Sequence, residues 1–157
     1  MILMTLNYKG LASHPKKLAI KRLIKEQYLD VFYLQETMCD GCVLVKELEF
    51  LFKEWQFVSV DAKGISGGLL LGWRTRNFLL VNAWAMTSGL CVVLHSIELQ
   101  LEFSFINLYG PYSDRELFWT NLSGMECFKS PYLVFGGDLN FSLGLFEIWG
   151  IELVWMS

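Results

Sequence analysis

The sequence predicts a single α/β domain over residues 1–157, and three observations carry that expectation. An apolar run at residues 1–7, a helical pattern over 16–27 and a second apolar run at 30–35 follow one another in the order of a βαβ unit. Four apolar runs stop abruptly at polar groups: Asn7, Glu36, Tyr109, and the pair Asp138 and Asn140. No linker, repeat or low-complexity tract divides the chain, whose 54% hydrophobic and 18% charged residues exclude disorder. That balance is more apolar than a solvated surface needs, so apolar surface is expected to remain for a further segment or a partner. The net charge of −3 excludes a global positive field that would draw the chain to nucleic acid.

In chain order, the strand over 1–7 runs into the loop Asn7-Tyr8-Lys9-Gly10. Ser13 ahead of Pro15 reads as an N-cap with proline in the first turn. The helix over 16–27 has Leu18, Ile20, Leu23 and Ile24 on an apolar side, and Lys17, Lys21 and Lys25 at fourfold spacing on another. Val31-Phe32-Tyr33-Leu34 is a strand ending at Gln35-Glu36-Thr37, which puts Asn7 and Glu36 at one sheet edge. Leu48, Leu51, Phe52 and Trp55 set against Lys46, Glu47, Glu49 and Lys53 give a helix over 44–55. A short strand over 57–60 follows. Gly64, Gly67 and Gly68 lack dinucleotide-binding spacing and precede a strand, so they read as a turn. Strands over 69–73 and 78–83 read as a pair around Arg74-Thr75-Arg76-Asn77.

Residues 90–95 form another strand. Ile97, Leu99, Leu101, Phe103 and Phe105 alternate with polar residues as in a half-exposed strand, with the register and the turn within this stretch left open, and the run continues through 106–109 to Gly110-Pro111. Ser113-Asp114-Arg115-Glu116 reads as a capping box opening a helix with Leu117, Phe118, Leu122 and Met125. A strand over 132–135 then leads into Gly136-Gly137-Asp138-Leu139-Asn140.

Asp138 and Asn140 share one face if the extended backbone continues past the glycines. A carboxylate and an amide then stand at a sheet rim, a setting suited to metal and phosphate chemistry. The alternative is a turn in which both satisfy only local backbone groups. Glu36 is likewise either a site residue or a solvent-facing residue after a strand. Lys9, Lys16, Lys17, Lys21, Arg22 and Lys25, with no acid among them, make either a phosphate-facing patch or a solvated helix face. Cys39 and Cys42 have CxxC spacing without a second pair, and neither His14 nor His95 stands at finger spacing, so the four cysteines read as reduced thiols. No charged leader precedes an apolar signal core and no apolar run could span a bilayer, so an intracellular location is expected.

Leu6-Asn7-Tyr8-Lys9-Gly10, Leu34-Gln35-Glu36-Thr37, Asn107-Leu108-Tyr109-Gly110-Pro111 and Gly136-Gly137-Asp138-Leu139-Asn140 resemble, in order and spacing, the motifs of the endonuclease/exonuclease/phosphatase superfamily. A narrower likeness rests on Pro15-Lys16-Lys17-Leu18, Gly64-Ile65-Ser66-Gly67-Gly68-Leu69-Leu70, Arg115 through Trp119, and Glu147-Ile148-Trp149-Gly150. These look like the N-terminal endonuclease domain of plant LINE-type (non-LTR) retrotransposon polyproteins. The resemblance covers nearly the whole chain.

It implies a four-layered sandwich of two mixed β-sheets flanked by helices, the second sheet incomplete. It also implies Mg²⁺-dependent (or Mn²⁺-dependent) nicking of a DNA phosphodiester to prime reverse transcription, in the nucleus. By motif match, Glu36 would hold the metal with Asn7 beside it and Tyr109 would contact the scissile phosphate. Asp138 would orient or deprotonate the attacking water, and Asn140 would hold a phosphate oxygen. The chemistry is coherent, since Mg²⁺ takes hard oxygen ligands, keeps several waters and stabilises charge on a leaving oxygen.

The chain departs from the family pattern where the Ser-Asp-His-like motif is expected: no histidine follows His95 and the last aspartate is Asp138. Lys9 stands where apurinic-site enzymes carry aspartate, and Tyr112 where many members have asparagine. A C-terminally truncated, inactive endonuclease domain is therefore the expectation. The alternatives are a non-catalytic remnant holding nucleic acid weakly through Lys16, Lys17, Lys21 and Arg22, and a phosphatase of small phosphoesters.

Overall fold

Two four-stranded sheets pack face to face, with helices on both outer sides, in a computed structural model that describes residues 1–63 and 66–140, residues 62, 63 and 66 by backbone alone. The segment Glu147-Ile148-Trp149-Gly150 and the Gly64-Ile65 step lie outside the described residues. The first sheet comprises β1 (Leu3–Asn7), β2 (Val31–Gln35), β3 (Trp55–Lys63) and β4 (Ser66–Arg74) in the order β1-β2-β4-β3. The second comprises β5 (Phe78–Met86), β6 (Gly89–Ser96), β7 (Leu101–Tyr109) and β8 (Leu133–Asp138) in sequential order. The helices are α1 (His14–Glu26), α2 (Gly41–Leu51) and α3 (Arg115–Ser123), the last followed by a 3₁₀ turn, Glu126–Lys129.

Each sheet is mixed because each contains one parallel pair joined by a helical crossover. β1 and β2 run parallel through α1, with Asn7 opposite Gln35; β7 and β8 run parallel through α3, with Tyr109 opposite Asp138. All other pairings are antiparallel. The two parallel pairs lie on each other, β1 against β8 and β2 against β7, so four strand C-termini meet at one end of the sandwich.

Side-chain alternation sorts the apolar residues into three cores. In β2, buried along its whole length, Phe32 and Leu34 point outward to Ile20, Ile24, Leu44 and Leu48 of α1 and α2. Val31 and Tyr33 point inward, joining Leu71, Trp73, Phe78, Val92 and Phe105 between the sheets. On β7, Phe105 faces that inner core while Ile106 and Leu108 face outward, with Leu122 and Cys127. A strand covered on both faces has no polar alternation, which is why β2 reads as a continuous apolar run. Part of the apolar excess lies on the edge strand β5, where Leu79, Leu80, Val81 and Trp84 are exposed.

Four sequence expectations need correction. The strands over 69–73 and 78–83 do not pair: β4 lies between β2 and β3, whereas β5 pairs with β6 in the other sheet. The Arg74–Asn77 loop therefore carries the chain between sheets rather than closing a hairpin. The second helix starts earlier than expected, with Asp40 as N-cap accepting from Val43 N at 2.9 Å, and Trp55 opens β3 instead of ending the helix. Cys39-Asp40-Gly41-Cys42 is thus a helix start, and its cysteines are free thiols. The capping box at Ser113 does not form, because Asp114 occupies the N-cap in the left-handed region and Ser113 Oγ bonds its carboxylate. Finally, α1 buries Lys17, Ile20 and Ile24 as one stripe and leaves Leu18 exposed, so the lysine row is broken. Lys17 is 5% exposed; its ammonium pairs with Glu47 of α2 and donates to Ala12 O.

Tyr33 gives the inner core a pH signature. Its hydroxyl donates to Val134 O at 3.2 Å, and burial raises its pKa well above the ordinary phenol range. The unfolded chain releases that proton near pH 10, while the folded one keeps it. Stability from this group is therefore complete below about pH 10 and falls as pH rises above it. Urea midpoints measured from pH 8 to 11 should drop above pH 10 in the wild type and less steeply in Tyr33→Phe.

Candidate active site

Because β1, β2, β7 and β8 end together, the last inward-facing positions of these strands define a small polar mouth. One layer below it lies a buried belt. Gln35 Nε2 donates to Asn107 Oδ1 and to Thr5 Oγ1, and Asn107 Nδ2 donates to Leu34 O (3.0 Å) and Leu70 O (2.9 Å). Gln35 is 1% and Asn107 0% exposed, so these amides weld the two sheets where a dry apolar core would otherwise reach the surface.

At the mouth itself, residues from all four strand ends are linked. Asn7 Nδ2 donates to Asp138 Oδ2 at 2.6 Å and lies 3.2 Å from Glu36 Oε1. The Tyr109 hydroxyl donates to the same Glu36 oxygen at 2.7 Å and sits 3.3 Å from the Tyr112 hydroxyl. Asn140 N donates to Asp138 Oδ1 at 3.0 Å, and Asn140 Nδ2 donates to Gly110 O at 2.6 Å. Asn7, Glu36, Tyr109, Asp138 and Asn140 therefore occupy one cluster. The turn alternative for Asp138 holds for one of its oxygens only, since the other reaches 131 residues back to Asn7. Asp138 and Asn140 do not share a strand face: β8 stops at Asp138, and Asn140 turns into the left-handed region at φ 52°.

Glu36 also has left-handed backbone, φ 53°, which costs a non-glycine residue about 1–2 kcal/mol. The loop is held against that cost by Gly10 N donating to Glu36 O (2.9 Å), and by Thr37 N and Met38 N bonding Gly68 O and Gly67 O of β4. Such strain, at a carboxylate that meets Asn7 and Tyr109, is of the kind found at functional sites. Glu36→Gly should be more stable than Glu36→Ala by about 1 kcal/mol in urea denaturation, since only glycine takes this φ freely. Equal stabilities would show that the turn relaxes around alanine.

The hydrogen bond with Tyr112, burial and the bond to Glu36, in that order, raise the Tyr109 pKa, so the hydroxyl remains a donor across the physiological range. The donor set suits a hard cation. Among the described residues no three His, Cys, Asp or Glu side chains gather, yet Mg²⁺ needs only one or two carboxylates and fills its shell with water and phosphate oxygens. Glu36 would supply the carboxylate. Rotation of the Asn7 amide about its last side-chain bond would exchange nitrogen for oxygen toward it, adding a second oxygen ligand.

Lys16, Lys17, Lys21 and Arg22 of α1 have partners outside this cluster. Lys16 Nζ donates to Lys9 O and Gly10 O at 2.7 and 2.8 Å, clamping the loop after β1. Lys17 is buried, Arg22 pairs with Glu26 at 2.7 Å, and the Lys21 ammonium lies 6.0 Å from the Phe52 ring. Sequence reasoning missed two contributors. Asn107 looked like part of a strand-end motif, and its burial depends on a partner in the other sheet. Arg115 donates Nη2 to Asn140 O at 2.8 Å and fixes the turn beyond β8; its position six residues after Tyr109, at the start of α3, was the available signal.

No family model and no curated protein matches this sequence. Solved structures do match its fold. An endonuclease/exonuclease/phosphatase family protein from Bacteroides thetaiotaomicron aligns at 14% identity and TM-score 0.64, over 88% of this chain and 61% of its own. Humanized D. rerio TDP2 aligns at 12% identity and TM-score 0.66, over 89% and 66%. A 3′ phosphatase from Neisseria, bound to a product DNA hairpin, aligns at 16% identity and TM-score 0.66, over 87% and 57%. This chain thus spans about six-tenths of the length of these proteins. Its two mixed sheets and flanking helices have the fold of endonuclease/exonuclease/phosphatase proteins.

Proposed function

We propose that the mouth is the phosphate-cleaving site of a Mg²⁺-dependent DNA endonuclease of the LINE retrotransposon type, present here without turnover. The convergence of Asn7, Glu36, Tyr109, Asp138 and Asn140 carries this reading. Glu36, with the Asn7 oxygen, holds the ion, and Mn²⁺ could take the same ligands. When bound, Mg²⁺ neutralises charge that grows on the leaving oxygen. The Tyr109 hydroxyl, kept protonated, turns from Glu36 to a non-bridging phosphate oxygen. Asp138, held by Asn140 N, takes the proton of the attacking water. The Asn140 amide bonds the phosphate opposite Tyr109.

We infer the absence of turnover from the groups among these 157 residues alone. His14 opens α1 beside Lys46 and Glu47. His95 lies six residues along β6 from Gly89, roughly 20 Å from the mouth at strand rise. The Asp-His pair that the resemblance assigns to this site is missing from the 157 residues. Loss of one member of a group that acts as a unit removes most of the rate.

Supercoiled-plasmid nicking with and without Mg²⁺, combined with oligonucleotide anisotropy, tests both parts. The expected result is no nicking above background, with Mg²⁺-dependent binding weakened about tenfold or more by Glu36→Gln or Asn7→Ala. Nicking that Glu36→Gln abolishes would overturn the inactive reading. Binding indifferent to both substitutions would overturn the site. Phosphate release from inositol phosphates, without DNA binding, would establish a small-molecule phosphatase.

A further inference from the structure

Tyr109 has a second side. Its ring lines a cavity of about 420 Å³ between the β3–β4 hairpin and the β5–β6 turn, open beside the mouth. We propose that this cavity receives one nucleobase, turned out of its stack, from the nucleotide adjoining the phosphate at the mouth. The proposal rests on the phosphodiester reading of that site.

Size, apolar lining and continuity favour this occupant. The volume falls within the range of small-ligand pockets, about 300–1,000 Å³. Leu69 and Met86 supply apolar walls, and Tyr112, 73% exposed, presents a ring on which a base can stack. Val60 and Ala85 add apolar lining that suits a neutral ring. Asp61, at the cavity edge, turns its carboxylate away to Gly41 N of α2 at 2.7 Å, on the other face of β3. The Tyr112 hydroxyl, 3.3 Å from that of Tyr109, joins the cavity rim to the catalytic cluster, so one nucleotide can reach both. Enzymes that act at a single nucleotide commonly take the base out of its stack into such a pocket.

A single-stranded oligonucleotide carrying 2-aminopurine, whose emission rises on unstacking, provides the test. At saturating wild-type protein with Mg²⁺, emission should rise several-fold. Ser88→Phe, which fills the cavity from the β5–β6 turn, should abolish the rise and weaken binding about tenfold. Tyr112→Ala, at an exposed position, should reduce both and keeps the test open if Ser88→Phe misfolds. An oligonucleotide with an abasic sugar in place of 2-aminopurine should bind wild type and Ser88→Phe alike. Flat emission under saturating anisotropy, or a rise that survives both substitutions, would overturn the inference and leave the phosphodiester reading standing. Absence of binding by any oligonucleotide would overturn both.

Discussion

Asn107→Ala is expected to destabilise the domain by about 3–4 kcal/mol, a large share of the ~5–15 kcal/mol that holds a domain folded. The side chain is wholly buried and serves three partners: Gln35 from one side, and the carbonyls of Leu34 and Leu70 in the opposite sheet. Truncation leaves those groups without their partner and opens a cavity between the sheets. Each unsatisfied buried group costs about 1–3 kcal/mol. Urea denaturation measures the loss directly. The double variant Gln35→Leu with Asn107→Leu should recover part of it, because an all-apolar pair leaves fewer polar groups stranded. A loss below about 1 kcal/mol for Asn107→Ala would mean that water enters and replaces the amide.

Gly137→Ala is expected to cost at least as much, and to act locally. Gly137 has φ 141°, and a Cβ there would stand 1.9 Å from Leu108 O of the neighbouring strand. That neighbour is backbone, so the two strands must part. The adjacent Gly136 has only the Tyr33 ring and the Thr5 methyl near an added Cβ, both at ordinary contact distance, 3.8–3.9 Å. Gly136→Ala should therefore lie within about 1 kcal/mol of wild type, while Gly137→Ala frees the end of β8 and disperses Asp138. Amide exchange along β7 and β8 distinguishes them: protection should collapse near Leu108 and Asp138 in Gly137→Ala alone. Similar exchange in both variants would refute the steric account.

The order of strands and helices was legible because β1, α1 and β2 follow a βαβ pattern and because Asn7, Glu36, Tyr109 and Asp138 each end an apolar run. The mutual hydrogen bonding of these residues follows from parallel pairing, which aligns the C-termini of β1 with β2 and of β7 with β8. Sheet membership was harder. β4 and β5 are adjacent in sequence and equally apolar, and only packing places a sheet boundary between them. Lys17 shows the same limit. Its charge argued for solvent, but it shares the buried stripe of Ile20 and Ile24, and the Glu47 carboxylate and Ala12 O satisfy its ammonium. Asp40 was overshadowed by the flanking cysteines, although an aspartate before a helix start is the stronger signal.

The polar mouth draws its parts from positions 7, 36, 109 and 138, and from both sheets. Among the described residues, no hairpin or helix contains even two of its hydrogen-bonded pairs. Closing such distant segments is slow and costs entropy before any contact is gained. The chemistry should accordingly arrive in the final, rate-limiting stage of refolding, well after helix signal recovers. Any isolated half of the sandwich would lack the Asn7–Asp138 and Tyr109–Glu36 bonds.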